Sequence, residues 1–276
     1  MTQETMAMMW ENMASNSTNS PKCPICKEDK PKTRIKHPFK DVMTDVVSAC
    51  PCEIKELEEF EYRQKMKEKR RKINRVLNMS SELDEIKYLT FDNYKERQGN
   101  EVVVEEVKKA VTNFSESNGM GLFIFGVSGN GKSHATAAGG NKLLEKGHSV
   151  IFLTEKDLLN RLRATNNFHN HETFSDVMNS SVSADLLVWD DFLSSSTLNG
   201  HEKDWIFQII NGRERAGRPI WFTSNLTPKE FQSEQMETVL DPKGRTWWRI
   251  LDNTIPVHNS ATNYRRERAF KRAKGM

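Results

Sequence analysis

Gly121-Leu-Phe-Ile-Phe125 runs directly into Gly126-Val-Ser-Gly-Asn-Gly-Lys-Ser133. The first five residues read as a short buried strand. The next eight match G-x-x-x-x-G-K-[ST], and the text after them favours helix. Glycines in such a loop let backbone N–H groups turn inward around phosphate oxygens, and the following helix points its positive end at the same anion. Gly126, Val127, Ser128, Gly129, Asn130, Gly131, Lys132, Ser133 and the adjoining His134 are therefore the expected nucleotide-binding run. Lys132 is expected to reach the β- and γ-phosphates of ATP, and the Ser133 hydroxyl to bind Mg²⁺.

Two stretches downstream complete the pattern. Ala184-Asp-Leu-Leu-Val-Trp-Asp190-Asp191 is an apolar strand that ends in two acids. Acids at the carboxyl end of a parallel strand stand where a P-loop ligand lies. Asp190 is read as the Mg²⁺ holder and Asp191 as the base that orients the attacking water. Asp191 is shorter than a glutamate, which leaves open a nucleotide-gated binding protein with little hydrolysis. Pro219-Ile-Trp-Phe-Thr223-Ser-Asn225 is a third strand, ending in an amide suited to the γ-phosphate and the water. The order Lys132, Asp190, Asn225 is that of an additional-strand, AAA+-type P-loop ATPase.

The surrounding text reads as an α/β fold. Helices are expected over 101–115, 130–146, 156–163 and 202–217, and strands over 121–125, 149–154, 184–189 and 219–223, followed by a helical C-terminal part. This alternation implies a parallel sheet covered on both faces. Residues 1–20 read as a loose tail, within which Met6–Met13, around Trp10, can form a short helix on a partner. Residues 21–52 read as a small zinc-binding module. Residues 53–94 read as a charged helical linker, with its helix over 53–78, and 95–276 as the ATPase domain. The linker helix is either a solvated connector or a basic face for nucleic acid or a partner.

The arrangement resembles the bacterial and phage replicative-helicase loaders of the DnaC/DnaI type. The likeness spans residues 88–270. It rests on Thr90-Phe-Asp-Asn93, Gly126–Ser133, Asp185–Phe192, Ile210-Asn-Gly-Arg213 and Pro219–Leu226. The resemblance implies an ATPase that grips the hexameric replicative helicase (DnaB type), assembles in several copies on it and places it on single-stranded DNA. It also implies that Gly244-Arg245-Thr-Trp-Trp-Arg249 carries an arginine finger, with Arg249 first choice and Arg245 second. Tyr264-Arg265 would sense nucleotide in cis, with Arg266 as a neighbouring competitor. Trp247 and Trp248 depart from the family pattern, and Trp189 is unusually bulky. A transposition-helper ATPase of the IstB type is the alternative, although helpers usually lack the N-terminal module.

All four cysteines lie early: Cys23-Pro-Ile-Cys26 and Cys50-Pro-Cys52. The first pair has the C-x₂-C spacing of a zinc knuckle, and a Pro-rich segment with little apolar core needs such a staple. His37 is the alternative fourth ligand to Zn²⁺. By resemblance this module is the helicase-binding part. A basic run, Arg265, Arg266, Arg268, Lys271, Arg272 and Lys274, is either a phosphate-binding surface or a solvated helix end. Phe168, His169, His171 and Phe174 read either as a base-stacking loop or as packing on the sheet. With 41 basic and 38 acidic residues among 276, overall charge does not point to nucleic acid. No apolar run approaches the ~20 residues that span a bilayer, and Met1–Asn19 lacks the pattern of a secretory signal. The expected location is cytoplasmic, with no membrane partner.

Overall fold

The computed structural model describes residues 21–37, 41–61, 63–64, 80, 83–165, 172–194 and 197–274. The chain divides into two units, Met1–Arg70 and Arg71–Met276. Met6–Met13 with Trp10, the later part of the charged helix, and Phe168, His169 and His171 lie outside the described residues.

In the first unit, β1 (Lys32–Lys36) pairs antiparallel with β2 (Met43–Val47), in a register from Lys32 opposite Val47 to Lys36 opposite Met43. Its sequence, Lys-Thr-Arg-Ile-Lys, carries no apolar face, and every β1 residue is exposed. A two-stranded hairpin of this kind is marginal alone. Residues 51–61 are helical. Among the described residues of this unit only Cys23, His37 and Cys50 are buried.

In the second unit, a five-stranded sheet has the order β4-β5-β6-β3-β7, all parallel: β3 Gly121–Phe125, β4 Val150–Thr154, β5 Leu186–Asp190, β6 Ile220–Ser224 and β7 Thr254–His258. The strand β6 is the additional one, inserted between β3 and β5. The helices are α1 (Leu83–Ile86), α2 (Glu101–Thr112), α3 (Lys132–Glu145), α4 (Glu155–Ala164), α5 (Phe174–Ser183), α6 (Gly200–Arg215), α7 (Pro228–Phe231), α8 (Glu234–Val239), α9 (Arg245–Asp252) and α10 (Tyr264–Ala273).

The continuous apolar runs of the strands sort by period two into separate cores, because successive side chains point to opposite faces. Phe123, Phe125, Ile151, Leu153, Leu187, Trp189 and Phe222 pack with α4, α5, α6 and α9. Leu122, Ile124, Val150, Phe152, Leu186, Val188 and Trp221 pack with α2 and α3. Trp189 belongs to the first of these layers, stacked on Phe222 with Phe192 at its edge. Trp247 is likewise core, against Phe123 and Phe231, while Trp248 is exposed.

In the sheet-bearing unit the expected strands and helices fall within a few residues of the observed ones, with three differences. The C-terminal part contains β7 as well as helix. Its Pro256 lacks a ladder donor, which an edge strand tolerates because one side has no partner. Phe174 opens α5 instead of lying in a loop, with its ring edge against Trp205. Thr173 and Asp176 form a reciprocal capping box at that start. Finally, the boundary expected at residue 94 lies earlier. Ile86, Leu89, Phe91 and Tyr94 pack into the α2/α3 layer, so this stretch is part of the sheet-bearing unit.

Candidate functional site

The carboxyl ends of β3, β5 and β6 open on a cavity of about 820 Å³ lined by Ser128–His134, Asp190, Asp191, Asn225, Tyr264 and Arg265, among others. Gly126, Gly129 and Gly131 have φ of 143°, 71° and 103°, in the region that L side chains rarely adopt. A Cβ on Gly126 would stand 2.3 Å from the Asn259 carbonyl oxygen, so the loop rests against the end of β7. The Asn130 amide donates to that same carbonyl at 3.0 Å, and Asn259 N–H donates to Phe125 at 2.8 Å. No side chain caps α3, so its first N–H groups keep their donor capacity beside the cavity.

Lys132 is buried. Its Nζ donates to the carbonyls of Gly126 (2.8 Å) and Val127 (2.9 Å) and to the side-chain oxygens of Asn130 (3.3 Å) and Asn225 (3.1 Å). Burial pulls its pKa down to about 8, against the attraction of Asp191 and Asp190; Arg265 lowers it further. A desolvated ammonium of this kind gains much from an anion placed beside it.

Asp190 is held by two hydroxyls. Thr223 Oγ1 donates to its Oδ1, and Ser133 also bonds it. Burial raises its pKa, opposed first by those two bonds. The next residue turns sharply: Asp191 has φ 51°, and its N–H donates to Thr223 Oγ1 at 3.0 Å. Asn225 Nδ2 lies 3.4 Å from Asp191 Oδ1 while its Oδ1 accepts from Lys132. The amide thus has a fixed sense, oxygen toward the cation and nitrogen toward the acid.

His134 lines the cavity, and its Nε2 lies 3.0 Å from Thr90 O and 2.8 Å from Asn93 Oδ1. Both partners are acceptors, which places the proton on Nε2. Burial lowers its pKa. Arg265 and Arg268 line the cavity, whereas Arg266 does not. Arg245 and Arg249 share one face of α9, their guanidinium carbons 5.7 and 5.9 Å from the Phe207 ring centroid. Arg249 Nη1 is ion-paired with Glu214. Neither arginine lines the cavity of its own chain. The signature residue Arg213 is wholly buried and donates to carbonyls of Ser181, Ala184 and Pro219, joining α5 to the entry of β6.

Several cavity residues were invisible to pattern reading. Tyr94, Lys95 and Arg97 line it, and Tyr94 belongs to the stretch whose sequence reads as linker. Thr223, read only as strand, braces both acids. A polar residue inside an apolar strand was the one available signal for it. Asn259 carries no signal at all, because its role depends on a partner 129 residues away.

In the first unit the sulfurs of Cys23, Cys26, Cys50 and Cys52 all lie within 4.8 Å of one another, and His37 is not in the group. Four cysteines, rather than three plus His37, are what the fold brings together. The backbone N–H of Cys26 leads in lowering the Cys23 pKa, as a knuckle turned on a thiolate does. Contacts with Cys26 and Cys50 push the Cys52 thiol up to about 12. Crowded sulfurs of this kind fit a soft, tetrahedral cation.

The family model described as IstB-like ATP binding protein matches residues 38–244. The replicative helicase loader DnaC of Buchnera aphidicola subsp. Acyrthosiphon pisum is 33% identical over 172 residues, 62% of this chain and 69% of that protein. A crystal structure of a DnaC helicase loader superposes with a TM-score of 0.54 at 22% identity, covering 64% of this chain and 99% of that one, which is a likeness of fold. The AMPPCP-bound DnaA of Aquifex aeolicus gives a TM-score of 0.50 at 25% identity over 68% of this chain. The match spans 55% of the DnaA chain, about half its length. The nucleotide-loop geometry, the additional strand and these likenesses agree, and the chain belongs to the family of IstB-like ATP binding proteins.

Proposed function

We infer that the chain is an ATP-dependent loader that binds the hexameric replicative helicase and places it on single-stranded DNA. The observation that carries this reading is the convergence of Lys132, Ser133, Asp190, Asn225 and Arg265 on one cavity, in a chain similar to DnaC loaders over most of its ATPase unit. Lys132 takes the β- and γ-phosphates in place of its present carbonyl partners, with the α3 N–H groups. Ser133 and Asp190 hold Mg²⁺, which supplies charge neutralisation when bound. Asp191 orients the attacking water, and Asn225 positions both the water and the γ-phosphate. Arg265 reads the nucleotide in its own subunit. Arg249, placed off its own cavity, reads that of a neighbouring copy. Cys23, Cys26, Cys50 and Cys52 hold Zn²⁺ as a structural ion for the unit that grips the helicase.

The test is affinity capture with the full chain at saturating ATP, with mass-spectrometric identification of the partner, beside ATP-binding and hydrolysis assays. Recovery of the replicative helicase, with Lys132→Ala losing nucleotide binding, is the expected result. The lost ammonium makes charge-assisted bonds worth roughly 1.5–3 kcal/mol each. Recovery of a transposase in place of the helicase turns the reading to a transposition helper. Wild-type ATP binding without hydrolysis, helicase and single strand present, assigns instead a nucleotide-gated binding protein.

A further inference from the structure

The helix α10 stands apart from the rest of the sheet-bearing unit in both charge and exposure. None of its residues is buried. Arg265, Arg266, Arg268, Lys271, Arg272 and, just past its end, Lys274 are exposed. Its one acid, Glu267, is already engaged by Thr262 Oγ1 and by Arg97. Among the described residues, no carboxylate pairs with any of those six cations. Arg266, Lys271, Arg272 and Lys274 lie outside the lining of the nucleotide cavity, and uncompensated charges so close along one helix repel one another, which a polyanion laid along it reverses.

The helix also exposes an aromatic. Phe270 is 55% exposed, and the Arg266 guanidinium lies over its ring at 5.6 Å. An exposed ring beside cations suits a phosphodiester chain whose bases are free to stack. It offers little to a duplex, whose bases are stacked internally, or to an acidic peptide. The start of α10 is fixed in place: Tyr264 N–H donates to Gly129 O at 2.9 Å, and a Cβ on Gly129 would lie 2.6 Å from Asn263 Oδ1. The first turn is therefore fastened to the nucleotide loop, while Phe270, Lys271, Arg272 and Lys274 farther along are exposed.

We propose that α10 is a binding surface for single-stranded nucleic acid, in which Lys271, Arg272 and Lys274 take backbone phosphates and Phe270 stacks a base. The surface does not require the loader reading. A chain that fails to capture a helicase still tests it, and a loader whose α10 is inert leaves that reading intact.

The experiment measures binding of a fluorescent oligothymidylate to the full chain across a salt series, with a duplex of equal length and polyglutamate as competitors. Removing three cations in Lys271→Ala/Arg272→Ala/Lys274→Ala lowers the slope of log affinity against log salt by about 2. Phe270→Ala weakens the single strand by on the order of tenfold and leaves the salt slope unchanged. Alanine suits an exposed helix, so both variants keep the fold; unaltered ATP-analogue binding in each confirms it. An unchanged slope in the triple variant overturns the proposal. So does polyglutamate displacing the oligonucleotide as well as unlabelled oligothymidylate does, or a duplex bound as tightly as the single strand with no effect of Phe270→Ala.

Discussion

The two units solve one problem with different chemistry. The sheet-bearing unit buries two apolar layers, and even its polar site is built on strand ends that those layers hold rigid. In the N-terminal unit, whose β1 is exposed at every residue, the buried side chains among those described are two cysteines and a histidine. A segment that short cannot bury enough apolar surface to offset its conformational entropy. What this unit brings together instead is four sulfur donors within 4.8 Å of one another, the set to which the proposal assigns Zn²⁺. On the proposed zinc reading, the first unit's order is conditional on a cation held by Cys23, Cys26, Cys50 and Cys52, whereas the second unit's rests on its own apolar layers.

The largest expected effect breaks the first unit alone. Chelation, or Cys50→Ser, should abolish amide-exchange protection across β1 and β2, because binding free energy of a structural zinc is folding free energy, about 10–16 kcal/mol in small zinc domains. The melting transition of the sheet-bearing unit should stay in place. Protected amides at 32–36 and 43–47 in chelated protein would show that the hairpin has another source of stability. The reverse experiment is Trp189→Ala, which empties a fully buried site in the layer beside α6. It should cost about 3–5 kcal/mol, read as a lower denaturant midpoint, with the metal stoichiometry unaltered. Trp189→Phe should cost less, since the indole Nε1 is buried without a hydrogen-bond partner.

The same contrast decides what could be read from the chain as text. Apolar runs such as Leu122–Phe125 and Leu186–Trp189 are legible because a parallel strand must be apolar on both faces. The loop from Gly126 to Ser133 is legible because phosphate chemistry restricts its residue types. The cysteine spacing is legible for a similar reason. Thr254-Ile-Pro-Val-His258 was not, since proline argues against a strand until the strand is known to be an edge. The hairpin β1/β2 has neither apolar periodicity nor a tight-turn dipeptide. Residues 83–94 looked like a charged linker, and only their contacts make Ile86, Leu89 and Tyr94 part of the core. The pairs Asn130–Asn259 and Gly129–Tyr264 exist only because distant segments meet.

A smaller effect sharpens the intrinsic side of the comparison by placing a charge inside it. Lys132 titrates at about 8 because burial disfavours its ammonium form. The unfolded chain holds that proton up to the ordinary lysine value near 10.4. Between these values the unfolded state binds more protons, so this group's contribution to stability rises with pH across the window and its penalty is complete below pH 8. Triphosphate binding requires the ammonium, so ATP affinity should fall over the same interval, by up to tenfold per pH unit, with proton uptake on binding. Calorimetry in buffers of different ionisation enthalpy reads that uptake. Parallel trends of stability and affinity would separate Lys132 from the phosphate contact.

The smallest effect concerns α5, where local chemistry rather than the core sets a boundary. Thr173 Oγ1 accepts from Asp176 N–H, and Asp176 Oδ2 accepts from Thr173 N–H, each at 3.1 Å. Thr173→Ala removes one half of this exchange and leaves an α5 donor to water, a cost of about 1 kcal/mol. Because Val177 and Met178 still bury their side chains beside α4 and α6, the helix itself should persist. Faster amide exchange confined to the first turn, with a small shift of the midpoint, is the expected reading. Loss of the whole helix would mean that the cap, and not the apolar layer, holds this part of the sheet-bearing unit, and the division between the two units would then be less sharp than their burial implies.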